Sequence, residues 1–587
     1  MHGCWRVPRE LYCCRITCAP TSQLPPEKLD RTVSAPGKVL VAGGYLVLDR
    51  PNVGVVLAAT ARFFSSVKWT EEKMPAPIQG AGELSQPRLR IKVESPQFRS
   101  VHWYECVVYE DGRLPILLAS SDQTSNVFVE RALTYTLGYL LQAEGADGGK
   151  SKTVKEVLRD AGDEGRVLAI KLRADNDFYS QTSQLHARGL PYTSSALATL
   201  PPFLECPVSE DGAVIVAKTG MGSSAALVSS LVGAILSFFG AARLPCFDDI
   251  PDQKPSLEEN VPGVQESLDL THNLAQACHC VAQGKVGSGF DVSAAVYGTH
   301  TYTRFSPSEL ADALSAGDAP PPSSCTNHGS AGDTSITPTP VERIATCVKV
   351  RGGWDAERGQ LRLPSCFQLL MGDVCGGSST PSMVRKVQAW RAHPSTADRA
   401  KEVWSALGST NTIIAEVLNA LATTAIESAE STGGKSFEAG AKALSALPSS
   451  KWAEPAGREA VGVTDTLEQL LRLQAAFAEA RQLLREMGED AGVPIEPPVQ
   501  TKLVDATSAL PGVLCAGVPG AGGVDAVFAI VVHPDAEDGV RDLWASWRVV
   551  SADTKSENEG AVVCPLLLTA SEGGSEGGIV CTRKMAW

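Results

Sequence analysis

Several classes of protein are excluded by what this sequence has little of. Cations are short: 52 Lys and Arg stand against 66 Asp and Glu in 587 residues, a formal net charge of −14. Non-specific binding to nucleic acid or to an anionic membrane needs a basic face, so neither is expected. Cysteine is dilute, with 16 residues, too few for a disulfide framework. Cys4, Cys13, Cys14 and Cys18 crowd together near the start with only His2 beside them, a spacing that fits none of the common zinc patterns. No unbroken apolar core precedes them, so no secretory leader is expected and the compartment reads as reducing and cytosolic. Long apolar runs are also scarce. The exception, Ala225–Ala242, carries Ser229, Ser230, Gly233 and Ser237, and its flanks lack a clear basic asymmetry. It reads as a helix buried between a sheet and a second layer, not as a membrane span. There is no Walker A loop and no internal repeat.

The rest is the composition of an ordinary soluble protein, 43% hydrophobic and 20% charged. The length exceeds what one core sustains, which argues for more than one domain. Strand signals fall at 33–69, Leu89–Val93, Val101–Tyr109, Val167–Leu172 and Ala213–Ala217. Helical periodicity marks Ser125–Gln142, Glu266–Gln283, Met383–Arg391, Thr412–Glu427 and Thr464–Met487. Strands return at Cys366–Gly372 and Val527–Val532. The stretch from Ser306 to Val341 is rich in Pro, Ser, Thr and Gly. The expected plan is a disordered tail at 1–30, a first domain at 31–305, a flexible insertion at 306–345 and a second domain at 346–587. Mixed elements in two blocks indicate an α+β enzyme.

Four segments concentrate the chemistry. In KTGMGSSA, Lys218, Gly220, Met221, Gly222, Ser223, Ser224 and Ala225 sit between an expected strand and an apolar helix. Glycines let a backbone approach a ligand, the helix start presents amides to an anion, and the hydroxyls add donors or metal ligands. SAPGKVLVAGG places Lys38 after an apparent Pro-Gly turn. GKVGSGFD sets Asp291 after a glycine-rich turn, with Lys285 inside it. AGVPGAGGVD holds four glycines before a strand. Each alone is also explained by a helix cap, a surface lysine, an Asx turn or a hairpin. The run Cys278-His279-Cys280 is not read as a zinc site, because consecutive helical residues diverge by ~100°.

Taken in order, APGK, GMGSSA, GSGFD and GAGG resemble the GHMP small-molecule kinases. The wording SAPGKVLVAGGYLVLD, DNDFYSQ, KTGMGSSAALVSS, AQGKVGSGFDVSAAVYG and GGSSTPSMV is similar to that of the eukaryotic phosphomevalonate kinases. Met221 stands where the family loop usually has Leu. The resemblance implies a two-domain α+β fold, with an N-terminal domain like domain 2 of ribosomal protein S5 and a ferredoxin-like C-terminal domain. It implies ATP and Mg²⁺ as cofactors and phosphomevalonate as the acceptor, in a monomer or homodimer. Lys38 and Asp291 would be catalytic, and Lys218–Ala225 would cradle the ATP phosphates, with Ser224 on the metal. The acceptor is a phosphate monoester with a second pKa of about 6 and is already mostly dianionic at neutrality. Asp291 is therefore expected to orient Lys38 or help hold Mg²⁺ rather than act as a base. Ser378, Ser379, Ser382, Arg385 and Lys285 are candidates for binding the acceptor. Asn176 and Tyr179 belong to the family wording without a derivable role. Another enzyme of the superfamily, a mevalonate kinase or a diphosphomevalonate decarboxylase, remains open, as does a non-catalytic sensor on the same fold.

Overall fold

The computed structural model describes residues 30–73, 88–109, 114–119, 126–142, 153–246, 263–311, 314, 339–348, 353–374, 380–432, 435–461, 464–549, 561–562, 564–565, 578 and 580–582. The expected N-terminal tail and its four cysteines lie outside them, as do Ser378 and Ser379.

Two sheets organise the chain. The first contains β1 (Arg31–Ala42), β2 (Gly54–Thr70), β3 (Arg88–Ser95), β4 (Ser100–Val107), β5 (Ile116–Ala119), β6 (Val167–Ala174), β7 (His300–Thr303) and β8 (Glu357–Gln360). The second is built on β9 (Gln368–Asp373), β10 (Val513–Gly517), β11 (Ala526–Val531) and β12 (Cys564–Pro565), in the order β10-β11-β9-β12. The last strand, β13 (Val580–Thr582), returns to the first sheet. It pairs with β1, and the order there is β13-β1-β2-β6-β3-β4-β5, with β7 on β2 and β8 on β7. The two-domain α+β architecture is therefore present. The division expected at 345/346 is not where the sheets divide, because β8 and β13 belong to the first.

The apolar run expected to be a buried helix is α1 (Ser223–Phe238), which packs on β1 and β2. It is apolar on every side, and so are its surroundings: α2 (Val264–Gln283) and α3 (Phe290–Tyr297) cover it. Leu231, Val232, Ile235 and Leu236 are fully buried, each contributing about 1.5–3 kcal/mol. Its serines do not expose it. Ser230 meets Ser65 of β2 at 2.8 Å and donates to the Leu227 carbonyl at 3.0 Å, so a hydroxyl inside the core stays satisfied.

Two expectations about local structure are corrected. Ala213–Ala217 is not a strand; only Val214 bridges, to Val208, and Ile215 and Val216 are exposed. The run is tied instead by single backbone bonds, Ile215 N–H donating to the Pro207 carbonyl and Ser180 N–H to the Ala217 carbonyl, both at 2.8 Å. The insertion at 306–345 is ordered at both ends. Pro307–Leu310 forms a 3-10 turn, and α4 (Pro340–Cys347) begins with a capping box between Thr339 and Glu342. Leu310, Val341 and Ile344 are buried, which is what holds those ends.

Candidate functional site

The predicted segments meet at one cavity of about 360 Å³, within the range of small-molecule sites. Lys38, Lys218, Gly220, Met221, Gly222, Ser223, Ser224, Lys285, Asp291 and the glycine loop at Gly520–Gly522 all line it. Both sheets contribute to the lining, Lys38 and Leu40 from β1 and Ala526 from β11, and the loops at their ends make contact. Gly520 N–H donates to the Leu40 carbonyl at 3.0 Å, and the Tyr45 hydroxyl donates to the Ala521 carbonyl at 2.7 Å. Tyr45 holds a left-handed backbone, φ 63, a strained conformation for a bulky residue at a site.

Lys38 does not follow a turn. Ala35, Pro36 and Gly37 run straight through β1, and the register with β2 slips between Pro36 and Lys38. Proline has no N–H for the ladder, so a bulge forms. Lys38 N–H then donates to the Met221 carbonyl at 2.9 Å instead, which ties β1 to the loop before α1. The Lys38 ammonium donates to the Gly220 carbonyl at 2.9 Å and lies 5.3 Å from the Phe290 ring centre. Burial lowers its pKa from the usual lysine value, and the Asp291 carboxylate opposes the shift.

Gly222 caps α1 in the left-handed region, φ 76, where a Cβ would come within 3.1 Å of Lys38 Cε. Only glycine satisfies both demands. The next two hydroxyls have different neighbours. Ser223 is buried and hydrogen-bonds the Tyr179 phenol. Ser224 Oγ lies 3.1 Å from His279 Nε2 on α2. Asp291 opens α3, with Oδ1 accepting from Val292 N–H at 3.0 Å and Oδ2 lying 3.9 Å from His279 Nε2.

Among the lining residues that the sequence does not single out are His279, Gln276 and Gln283; Tyr179 meets Ser223 but lies outside the lining. His279 is buried at 2% exposure, and its local pattern speaks only to the question of zinc. Among the described residues no three His, Cys, Asp or Glu side chains cluster as a metal site. Burial lowers the His279 pKa; Asp291 opposes this, while Lys218 and Lys285 add to it. Asn176 has a structural role, since its side chain donates to the Pro201 carbonyl and accepts from Leu204 N–H, both at 2.9 Å. Of the acceptor candidates, Lys285 is exposed at the cavity. Ser382 and Arg385 lie on α5 (Thr380–Ala392), exposed and outside the cavity lining, to which that helix gives Thr380, Pro381 and Val384.

A second layer fixes the glycine loop. On α6 (Thr464–Ala491), Arg481 grips the buried Glu496 carboxylate through two nitrogens, at 2.7–3.0 Å, and Arg485 reaches it at 3.2 Å. Beside it, the Ile495 carbonyl accepts from Gly523 N–H at 2.7 Å, and a Cβ on Gly522 would stand 2.2 Å from that oxygen.

Nine of the described cysteines, among them Cys206, Cys278 and Cys280, are free thiols, and among the described residues no helix is long and apolar enough to cross a membrane. No protein-family model matches the chain. It is 36% identical over 540 residues to the peroxisomal phosphomevalonate kinase of Arabidopsis thaliana, covering 90% of this chain and 94% of that one. It is 33% identical over 565 residues to the phosphomevalonate kinase of Aspergillus fumigatus, covering 93% and 95%. The solved Lin0012 protein of Listeria innocua shares the fold, with a TM-score of 0.51, 15% identity, and 94% and 100% coverage. With relatives of this identity matched along nearly their whole length, the chain belongs to the phosphomevalonate kinase family.

Proposed function

We propose that this chain transfers the γ-phosphoryl group of ATP to the phosphate of 5-phosphomevalonate, giving ADP and 5-diphosphomevalonate, a step in isoprenoid and sterol synthesis. The observation that carries the reading is the convergence of Lys38, the Gly220–Ser224 loop and Asp291 on one cavity. A dianionic monoester and tetra-anionic ATP become two trianions, so the transfer neither releases nor consumes a proton. Nothing in that balance calls for a general base, in contrast to phosphorylation of a hydroxyl, which releases one proton.

Phosphoryl transfer is mainly a matter of positioning and charge neutralisation. The N-terminus of α1 and the loop amides before it suit the phosphates of ATP. The Lys38 ammonium, held by the Gly220 carbonyl, suits the charge that builds on the transferred group. Asp291 supports the lysine electrostatically. Lys218 and Lys285 add cations for an acceptor carrying a phosphate and a carboxylate. A magnesium ion bound through ATP phosphates fits the hard oxygen donors of Ser224 and Asp291 on the same cavity; when bound, it neutralises phosphate charge. Free thiols support a reducing compartment, here read as the cytosol.

Release of ADP measured separately with mevalonate, phosphomevalonate and diphosphomevalonate tests the assignment. Turnover is expected with phosphomevalonate alone. Turnover with mevalonate only, or phosphate and CO₂ release from diphosphomevalonate, would assign the cavity to a sister enzyme.

A further inference from the structure

One buried polar side chain at the cavity has no place in the reaction above. His279 projects from α2, and its Nε2 faces Ser224 Oγ at 3.1 Å, Gln283 Nε2 at 3.4 Å and Asp291 Oδ2 at 3.9 Å. Its ring lies 5.4 Å from that of Phe128, tilted 36°, and the residue is 2% exposed. A histidine held this tightly cannot reach the centre of the cavity. It lies instead beside two groups that line the cavity from different elements, the hydroxyl that starts α1 and the carboxylate that starts α3.

We propose that His279 is a positioning residue: its Nε2 fixes the direction of the Ser224 hydroxyl and sets that hydroxyl's spacing from Asp291. A serine in the first turn of a helix has several staggered positions, and without a partner its oxygen would sample them. Whichever of the pair donates, the hydrogen bond selects one rotamer and leaves the other face of the hydroxyl for a phosphate oxygen or a cation. Groups that orient a ligand in this way typically change affinity or activity by about 10–100-fold when removed. This inference rests on the kinase reading, but a ratio between variants tests it independently of wild-type turnover.

The test is a double-mutant cycle on the full chain, with His279→Leu and Ser224→Ala singly and together, and His279→Gln as the conservative variant. Glutamine can place an amide near the position of Nε2 and either donate or accept there. The readouts are kcat, KM for ATP, and the Kd for a non-hydrolysable ATP analogue with Mg²⁺, with thermal unfolding to confirm folding. Expected are a loss of about 10–100-fold in kcat for His279→Leu and recovery to within about fivefold for His279→Gln. In the Ser224→Ala background, His279→Leu should cost less than about threefold, because the two residues act as a unit. The proposal is overturned if folded His279→Leu stays within about twofold of wild type, if Gln is as poor as Leu, or if the full loss persists without the serine. Should the wild type show no turnover, the kinase reading fails. The same cycle read in Kd for the analogue then decides on His279: loss confined to the serine-containing background upholds it, and equal loss in both, or none, overturns it.

Discussion

The Lys38 ammonium donates to the Gly220 carbonyl at 2.9 Å, across 182 residues of sequence. That bond joins a strand of the first sheet to the loop that caps the most buried helix, and it aims a positive charge into the cavity. Replacing Lys38 by Met keeps the stem and removes the charge. It should lower kcat by about 10²–10³-fold, as loss of a preorganised donor does elsewhere, with little change in KM for ATP. Lys38→Arg should not recover activity, because a planar guanidinium fork does not reproduce the compact point charge of an ammonium. Steady-state kinetics on both variants check this.

Asp291 and Lys38 interact in a direction that pH can read. Burial holds the lysine below its ordinary value and Asp291 pushes it back up. If the protonated lysine is the working form, activity falls as pH rises through its pKa. Asp291→Asn removes the opposing charge, so the alkaline limb of the kcat profile should move to lower pH. A carboxylate acting as general base would behave differently, because the variant would also lose the acidic limb of the profile.

Gly222 combines a left-handed φ of 76 with close approach to Lys38 Cε. Gly222→Ala should therefore impair catalysis more than folding. The backbone strain is of order 1–3 kcal/mol, while the added methyl displaces the lysine side chain. Thermal unfolding and kcat, measured on the same preparation, separate the two effects.

The Glu496 cluster tests the support of the glycine loop. Glu496 is gripped by Arg481 and Arg485 with its side chain 1% exposed. Glu496→Ala removes the carboxylate that Arg481 and Arg485 share but leaves Arg481 paired with Asp505 at 2.6 Å, and should destabilise the protein by about 1–3 kcal/mol. Because the Ile495 carbonyl holds Gly523 N–H, KM should rise as well. Denaturant unfolding measures the first effect and substrate titration the second.

Much of this site is legible in the sequence because glycine and charge are informative at short range. The Lys218–Ser224 loop, GKVGSGFD and the C-terminal glycine loop do meet, while Ala225, expected with them, is buried in α1 and lies outside the cavity lining. The buried helix is readable from its lack of a polar side. What stays hidden depends on long-range contact. Pro36-Gly37 looks like a turn, yet the neighbouring strand turns it into a bulge that redirects Lys38 N–H to Met221. Ala213–Ala217 has strand composition but meets its neighbours only through an isolated bridge and single backbone bonds. His279 sits in a helix with nothing local to mark it as part of a site; Ser224 and Asp291, which it meets there, are 55 and 12 residues away. The return of Val580–Thr582 to β1 is equally invisible, because strand pairing across the whole chain leaves no trace in a three-residue run.

The chemistry itself is read most directly by ³¹P NMR of the enzyme with Mg²⁺, ATP and phosphomevalonate. The monoester singlet of the acceptor should give way to two mutually coupled diphosphate resonances as ATP is converted to ADP. Inorganic phosphate accumulating with the acceptor singlet unchanged would contradict phosphoryl transfer to the acceptor.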